Sequence, residues 1–154
     1  MRPDMPDKPL KPNEIATEVP LGADATLGFI GHVETPWKTL RDCPKRAPLD
    51  GPESTVVLAA PWDRALDGVE GFDFLELFLW FHRARRDLLV IDPAHGGGPR
   101  GVFALRAPVR PNPIAVTTVA LVARHGNRLI VRGLEALDGT PLIDIKPGRC
   151  PNAP

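Results

Sequence analysis

Phe72–His82 reads FDFLELFLWFH and is the most apolar run of the chain. Its periodicity decides the fold class. Read as a helix, the segment is apolar nearly all round. Read as a strand, it places Phe72, Phe74, Glu76, Phe78, Trp80 and His82 on one face, and Asp73, Leu75, Leu77, Leu79 and Phe81 on the other. The aromatic density and the preceding Gly71 favour a buried strand.

The surrounding segments carry the same signal. Thr26–Val33 (TLGFIGHV), Ser54–Ala60 (STVVLAA), Val102–Leu105, Ile114–Ala123 (IAVTTVALVA) and Leu142–Ile145 (LIDI) read as short strands. His125-Gly126-Asn127 is a turn that returns Arg128–Arg132 (RLIVR) as a hairpin partner. A second turn dipeptide, Asp138-Gly139, sits in Leu134–Pro141. Pro61–Val69 predicts one short helix, with Pro61 at its first position and Gly68 as its stop. Glu34–Pro52 and Ile91–Gly101 read as loops, the latter through Gly96-Gly97-Gly98. The expectation is a mostly β, single-domain barrel or sandwich of six or seven short strands with one or two short helices. Residues 23–150 would form it, after a proline-rich, mobile tail over 1–22 and before a tail over 151–154.

Composition agrees. Of 154 residues, 19 are proline and 14 glycine, scattered so widely that a helical bundle or coiled coil is excluded. Cys43 and Cys150 cannot build a disulfide-rich scaffold or a four-cysteine zinc site. No apolar run reaches the roughly 18–20 residues of a membrane-spanning helix. The N-terminal stretch lacks the apolar core of a signal peptide, so a soluble cytoplasmic domain is expected.

Charge balances in total, 19 basic against 19 acidic residues, but not along the chain. From His82 to Arg132 there are nine arginines and only Asp87 and Asp92 as acids, a formal charge of +7. An anionic partner such as a nucleic-acid backbone would suit this segment; arginines coating a solvated face would also produce it.

The usual nucleotide fingerprints are missing. No G-x-G-x-x-G opens a helix, no P-loop is present, and Gly96–Gly98 runs into Pro99 instead of a helix N-terminus. No G-x-S-x-G elbow appears. His32, His82, His95 and His125 show no metal-ligand spacing, so no metal is expected. Arg106-Ala107-Pro108-Val109-Arg110-Pro111-Asn112-Pro113 stands out instead. Its prolines cannot sit in a central ladder, but they stiffen an extended track that holds two guanidinium forks before any ligand arrives. Such forks suit carboxylate or phosphate. A rigid loop with solubilising arginines is the other reading.

Gly101–Thr117 (GVFALRAPVRPNPIAVT) resembles the signature of the TsaA-like family, close to GVFATRSPFRPNPIGLS, a group that includes bacterial tRNA N6-threonylcarbamoyladenosine methyltransferases. Ile30–Trp37 (IGHVETPW), Leu66–His82 and Gly133–Pro147 (GLEALDGTPLIDIKP) extend the resemblance over about residues 26–147. The resemblance implies a β-barrel enzyme that binds S-adenosylmethionine without a Rossmann domain and works as a homodimer with its site near the interface. Carried over position by position, it implies cofactor contacts at Pro44, Lys45, Arg46, His82, Arg83, Arg106, Val116, Glu135, Ala136, Leu137 and Asp138. Arg100, Arg110 and Asn112 become candidates for the substrate, by implication a tRNA anticodon stem–loop. No catalytic base is identified.

Departures from the pattern cluster near the signature arginine. Leu105 and Ala107 replace two hydroxyl residues, Val109 replaces Phe, Ala115 replaces Gly, and Lys45-Arg46 replaces Arg-Gln. Three function classes follow: a methyltransferase on threonylcarbamoyl-modified tRNA, one of the same fold on a small molecule or another RNA, and a non-catalytic cofactor-binding module.

Overall fold

The computed structural model describes residues 9–94 and 96–149. His95, Cys150 and the ends 1–8 and 151–154, which include the expected C-terminal tail, lie outside the described residues. Among the described residues the strands are β1 (Ile15–Ala16), β2 (Gly31–Glu34), β3 (Glu53–Leu58), β4 (Phe74–Trp80), β5 (Leu88–Ile91), β6 (Arg100–Gly101), β7 (Ile114–His125), β8 (Arg128–Arg132) and β9 (Pro141–Pro147). Six of them close a barrel in the order β2-β3-β8-β7-β4-β9, and a separate three-stranded sheet runs β1-β5-β6.

Strand alternation builds the barrel interior. Ser54, Val56 and Leu58 of β3, Leu129 and Val131 of β8, Val33 of β2 and Leu142 of β9 all point inward and are buried. On β4 the buried face is the leucine one: Leu75, Leu77 and Leu79 have no exposed surface, whereas Phe74, Glu76, Phe78 and Trp80 are only half-buried. Register ties these faces together through Val33↔Val56, Val56↔Leu129 and Leu77↔Ile145. Gly31 pairs with Leu58 on one side and Leu142 on the other, which closes the ring. A Cβ there would stand 1.9 Å from the Val57 carbonyl oxygen, so only glycine fits. Closure leaves these six strands without a free edge.

Several local expectations change. The helix predicted over Pro61–Val69 is two 3-10 turns, Trp62–Leu66 and Val69–Gly71, separated by Gly68 at φ +90°. A segment this short cannot repay α-helix nucleation. Val102–Leu105 is not a strand: Val102–Ala104 forms a 3-10 turn, closed by the Leu105 N–H donating to the Val102 carbonyl at 3.3 Å. The first long strand is confined to Gly31–Glu34. Ile91 and Arg100–Gly101, read as loop, are paired residues of β5 and β6.

By compactness the chain falls into two units. One holds the described residues up to Thr26 and Phe81–Ile114; the other holds Leu27–Trp80 and the described residues from Ala115 onward, which include the barrel. Within the barrel unit, Arg124 fastens the 3-10 segment. Its guanidinium donates to the carbonyls of Leu66 and Gly126, both at 3.1 Å, and reaches Asp67 at 3.2 Å and Glu70 at 3.3 Å. The two carboxylates are exposed and add little, so the carbonyl bonds dominate. Arg124→Ala is expected to cost about 1.5 kcal/mol in urea denaturation; a loss indistinguishable from zero would remove Arg124 from the stabilising set.

Candidate functional site

In the barrel unit, the candidate residues gather where Gly133–Thr140 meets the loop after β2. The Asp138-Gly139 turn forms as the sequence predicts: Thr140 N–H donates to the Leu137 carbonyl at 3.1 Å, with Gly139 at φ +77°. The turn is then laced to the loop. Thr35 N–H donates to Asp138 Oδ1 at 2.9 Å, Lys38 Nζ lies 2.6 Å from Asp138 Oδ2, and Asp138 N–H donates to the Trp37 carbonyl at 2.8 Å. Thr35 Oγ1 donates to the Ala136 carbonyl at 2.9 Å, and Trp37 Nε1 donates to the Leu134 carbonyl at 3.2 Å. The Lys38 hydrogen bond, followed by that from Thr35 N–H, holds the Asp138 carboxyl below its ordinary value of 3.8.

The same segment holds the Pro44–Arg46 region from its other end. Ala47 N–H donates to Glu135 Oε1 at 2.9 Å. Leu49 lies so close to Gly133 that a Cβ there would meet its Cδ2 at 2.8 Å, and Gly133 has φ +87° besides. Cys43, half-buried beside this contact, has its thiol pKa raised by burial first and by the Glu135 charge second. The chain just after Pro44, Lys45 and Arg46 is thus bonded to Glu135. Arg46 is exposed and has no partner among the described residues.

The carboxylates of Glu135 and Asp138 already accept hydrogen bonds from the chain itself. Ala136 and Leu137 bury their side chains, at 2% and 8% exposure. What this segment leaves open is backbone: the N–H groups of Ala136 and Leu137 and the carbonyl of Glu135 have no partner among the described residues. Val116, on β7, is 40% exposed. Sequence reasoning does not single out Thr35, Trp37 or Lys38 as site residues, although Thr35 and Trp37 lie in the Ile30–Trp37 stretch that carries part of the resemblance.

In the other unit, the signature loop is tied down from two directions. Arg110 Nη1 donates to the carbonyls of Leu105 at 2.7 Å, Val102 at 3.2 Å and Ala107 at 3.5 Å, and its guanidinium stands 5.8 Å from the Phe103 ring centre. Arg86 donates to the Pro111 carbonyl at 2.6 Å and to Asn112 Oδ1 at 3.3 Å. Phe81 N–H donates to the Pro113 carbonyl at 2.9 Å. Arg100 is spent locally on the Gly97 carbonyl at 3.3 Å. Arg83 and Arg106, both exposed, are the guanidinium groups of this unit without a partner among the described residues. His82 is exposed beside Arg83. No group of three or more His, Cys, Asp or Glu side chains suited to a metal occurs among the described residues, and no described helix is long and apolar enough to cross a membrane.

Comparison with known proteins places this geometry. The family model described as the tRNA-methyltransferase O N-terminal domain matches residues 32–149. A Rhizobium radiobacter protein named "Probable S-adenosyl-L-methionine-binding protein VirR" is 46% identical over 94% of this chain and 83% of its own length. A Methanothermobacter thermautotrophicus protein, also named as binding S-adenosyl-L-methionine, is 42% identical over 77% of this chain and 85% of its own. The crystal structure of TrmO from P. aeruginosa superposes with a TM-score of 0.66 at 32% identity, over 81% of this chain. The present chain spans only 55% of that TrmO chain. The matched segment runs from β2 through β9 and contains every residue carried over from the signature, so the chain belongs to the TrmO N-terminal domain family.

Proposed function

We propose that the chain is an S-adenosylmethionine-dependent methyltransferase that modifies N6 of threonylcarbamoyladenosine beside the anticodon of tRNA. Beyond family membership, one observation supports this most. In a loop whose Arg110 and Asn112 side chains are engaged, Arg106 is left exposed and without a partner among the described residues.

The residues present fit the cofactor. Arg106 and Arg46 each offer a free guanidinium fork to a carboxylate or phosphate. The open N–H groups of Ala136 and Leu137, with the Glu135 carbonyl, offer donors and an acceptor to the edge of a purine. Bound S-adenosylmethionine supplies a methyl group activated by the sulfonium charge. Each unit then has its own work: in the barrel unit Arg46 can hold an anionic group beside the open Glu135–Leu137 backbone, and in the other unit Arg106 can hold one. No side chain is assigned as a base.

A second reading keeps the cofactor and changes the acceptor to a small molecule or another RNA. Leu105 and Ala107 favour it, because they put no hydroxyl beside Arg106. We also place the protein in the cytoplasm as a homodimer; exposed Val116 and Val122 on β7 offer apolar surface for a second copy. Light scattering on the purified chain should give twice the 16.7 kDa monomer mass, and a monomer at working concentration would end that part.

Calorimetry and labelled methyl transfer separate the readings. S-adenosylmethionine should bind with heat at micromolar to millimolar concentration, and Arg106→Ala should weaken it about tenfold, the loss of one charge-assisted hydrogen-bonded contact. No heat at millimolar cofactor rejects both enzyme readings. Methyl incorporation into total tRNA should require the threonylcarbamoyl group; incorporation without it selects the second reading.

A further inference from the structure

We infer that Arg110 is a positioning residue: it presets the backbone that presents Arg106 and does not itself contact the ligand. The inference rests on the reading of Arg106 as a cofactor contact. In sequence the two arginines look alike, spaced four apart on one stiff track. In the structure they differ. Arg106 is exposed with no partner among the described residues, whereas Arg110 is half-buried and turned back on its own loop.

Arg110 Nη1 carries two hydrogens and faces three carbonyls, those of Leu105, Val102 and Ala107. The Leu105 contact at 2.7 Å is the strong one, and the 3.5 Å contact to Ala107 is at the limit of a hydrogen bond. Leu105 and Ala107 flank residue 106. One guanidinium therefore gathers the carbonyls of the residues on both sides of Arg106, as well as the 3-10 turn that leads into it. The Phe103 ring supports the same guanidinium from 5.8 Å.

The rest of the loop cannot do this alone. Prolines at 108, 111 and 113 fix their own φ and push each preceding residue toward extended backbone, but none lies at 105 or 106. Arg86 secures the far end, at Pro111 and Asn112. Without Arg110, the one hydrogen bond left to Val102–Ala107 among the described residues is that of the Leu105 N–H to the Val102 carbonyl, at 3.3 Å, and only Val102 of the stretch is buried. Ligand binding would then have to order this stretch, at a cost in affinity.

A double-mutant cycle on the full chain tests this, with S-adenosylmethionine as the probe and its dissociation constant as the readout. Arg106→Ala and Arg110→Ala are each expected to weaken binding about tenfold, while adding Arg110→Ala to Arg106→Ala costs less than about twofold more. A merely structural loss would act on both backgrounds alike, and so would a direct contact between Arg110 and the ligand. Full additivity therefore overturns the inference while leaving Arg106 as a contact. An Arg110→Ala protein that binds like the parent overturns it as well. An Arg106→Ala protein that binds like the parent overturns the reading of Arg106, and this inference with it. Where Arg110→Ala fails to fold, Arg110→Met takes its place in the cycle with the same expected outcomes; it keeps the apolar stem but has no donor for the carbonyls.

Discussion

Replacing Leu77 with alanine is expected to destabilise the protein by about 3–4 kcal/mol, the upper range for a fully buried leucine. Leu77 has no exposed surface and lies between Leu75 and Leu79, which have none either. Its strand is hydrogen-bonded on the β9 side through Leu77↔Ile145. A closed barrel gives the cavity few ways to collapse, because moving one strand inward strains the register of all six. Phe78, one residue on, supplies the control. It faces the other way, is half-buried, and lies 5.7 Å from the Lys146 ammonium. Phe78→Ala should cost only about 1–2 kcal/mol despite removing the larger side chain. Urea denaturation of both variants, with unchanged m-values, checks the order. A Leu77→Ala protein as stable as Phe78→Ala would mean that the leucine face does not form the core.

That contrast also marks what the sequence could and could not disclose. In FDFLELFLWFH, aromatic density and the strand period are visible, and they suffice for a β fold. The identity of the buried face is not visible, because both faces are apolar; the structure selects the leucines. Turns were readable wherever a residue type has a conformational reason. The hairpin at Gly126-Asn127 puts Gly126 at φ +61° between paired His125 and Arg128, and the Asp138-Gly139 turn needs positive φ at its second position. β1 and β5 were missed for the opposite reason: Ile15–Ala16 is two residues long, and Leu88–Ile91 follows a charged run without alternation. For the site, residue type identified the arginines but not their direction. Arg106 points to solvent and Arg110 into its own loop, a difference set by backbone carbonyls that no side-chain pattern encodes. Likewise, Ala136 and Leu137 give away nothing by type, since what they leave open is backbone.

Asp138→Ala is expected to cost about 2–3 kcal/mol and to loosen the Pro44–Arg46 region, while Asp138→Asn should cost about 1 kcal/mol or less. The difference comes from Thr35. Its residue is 5% exposed, and its N–H uses Asp138 Oδ1 as acceptor. Alanine leaves that buried donor unmatched, and a buried orphan is more costly than the bond it lost. Asparagine keeps an oxygen there and removes only the charge facing Lys38. Because the Lys38 side chain is 66% exposed and that of Asp138 33%, solvent screens this pair and its loss weighs little. The pH dependence has a definite sign. The Asp138 carboxyl is held below 3.8 in the folded chain, so its charge stabilises the fold above the unfolded value. That contribution fades as pH falls from about 4 through the lower folded value. The stability gap between the parent and Asp138→Asn should therefore be full at pH 7 and shrink below about pH 4, whereas the gap to Asp138→Ala should persist in part, because the Thr35 donor stays unmatched at any pH. Urea denaturation at pH 7 and pH 3 measures both gaps, and hydrogen exchange at Ala47 reports the loop, since the Ala47 N–H is held by Glu135 from the same segment. Equal costs for alanine and asparagine at pH 7 would show that the ion pair, not the Thr35 bond, is what Asp138 supplies.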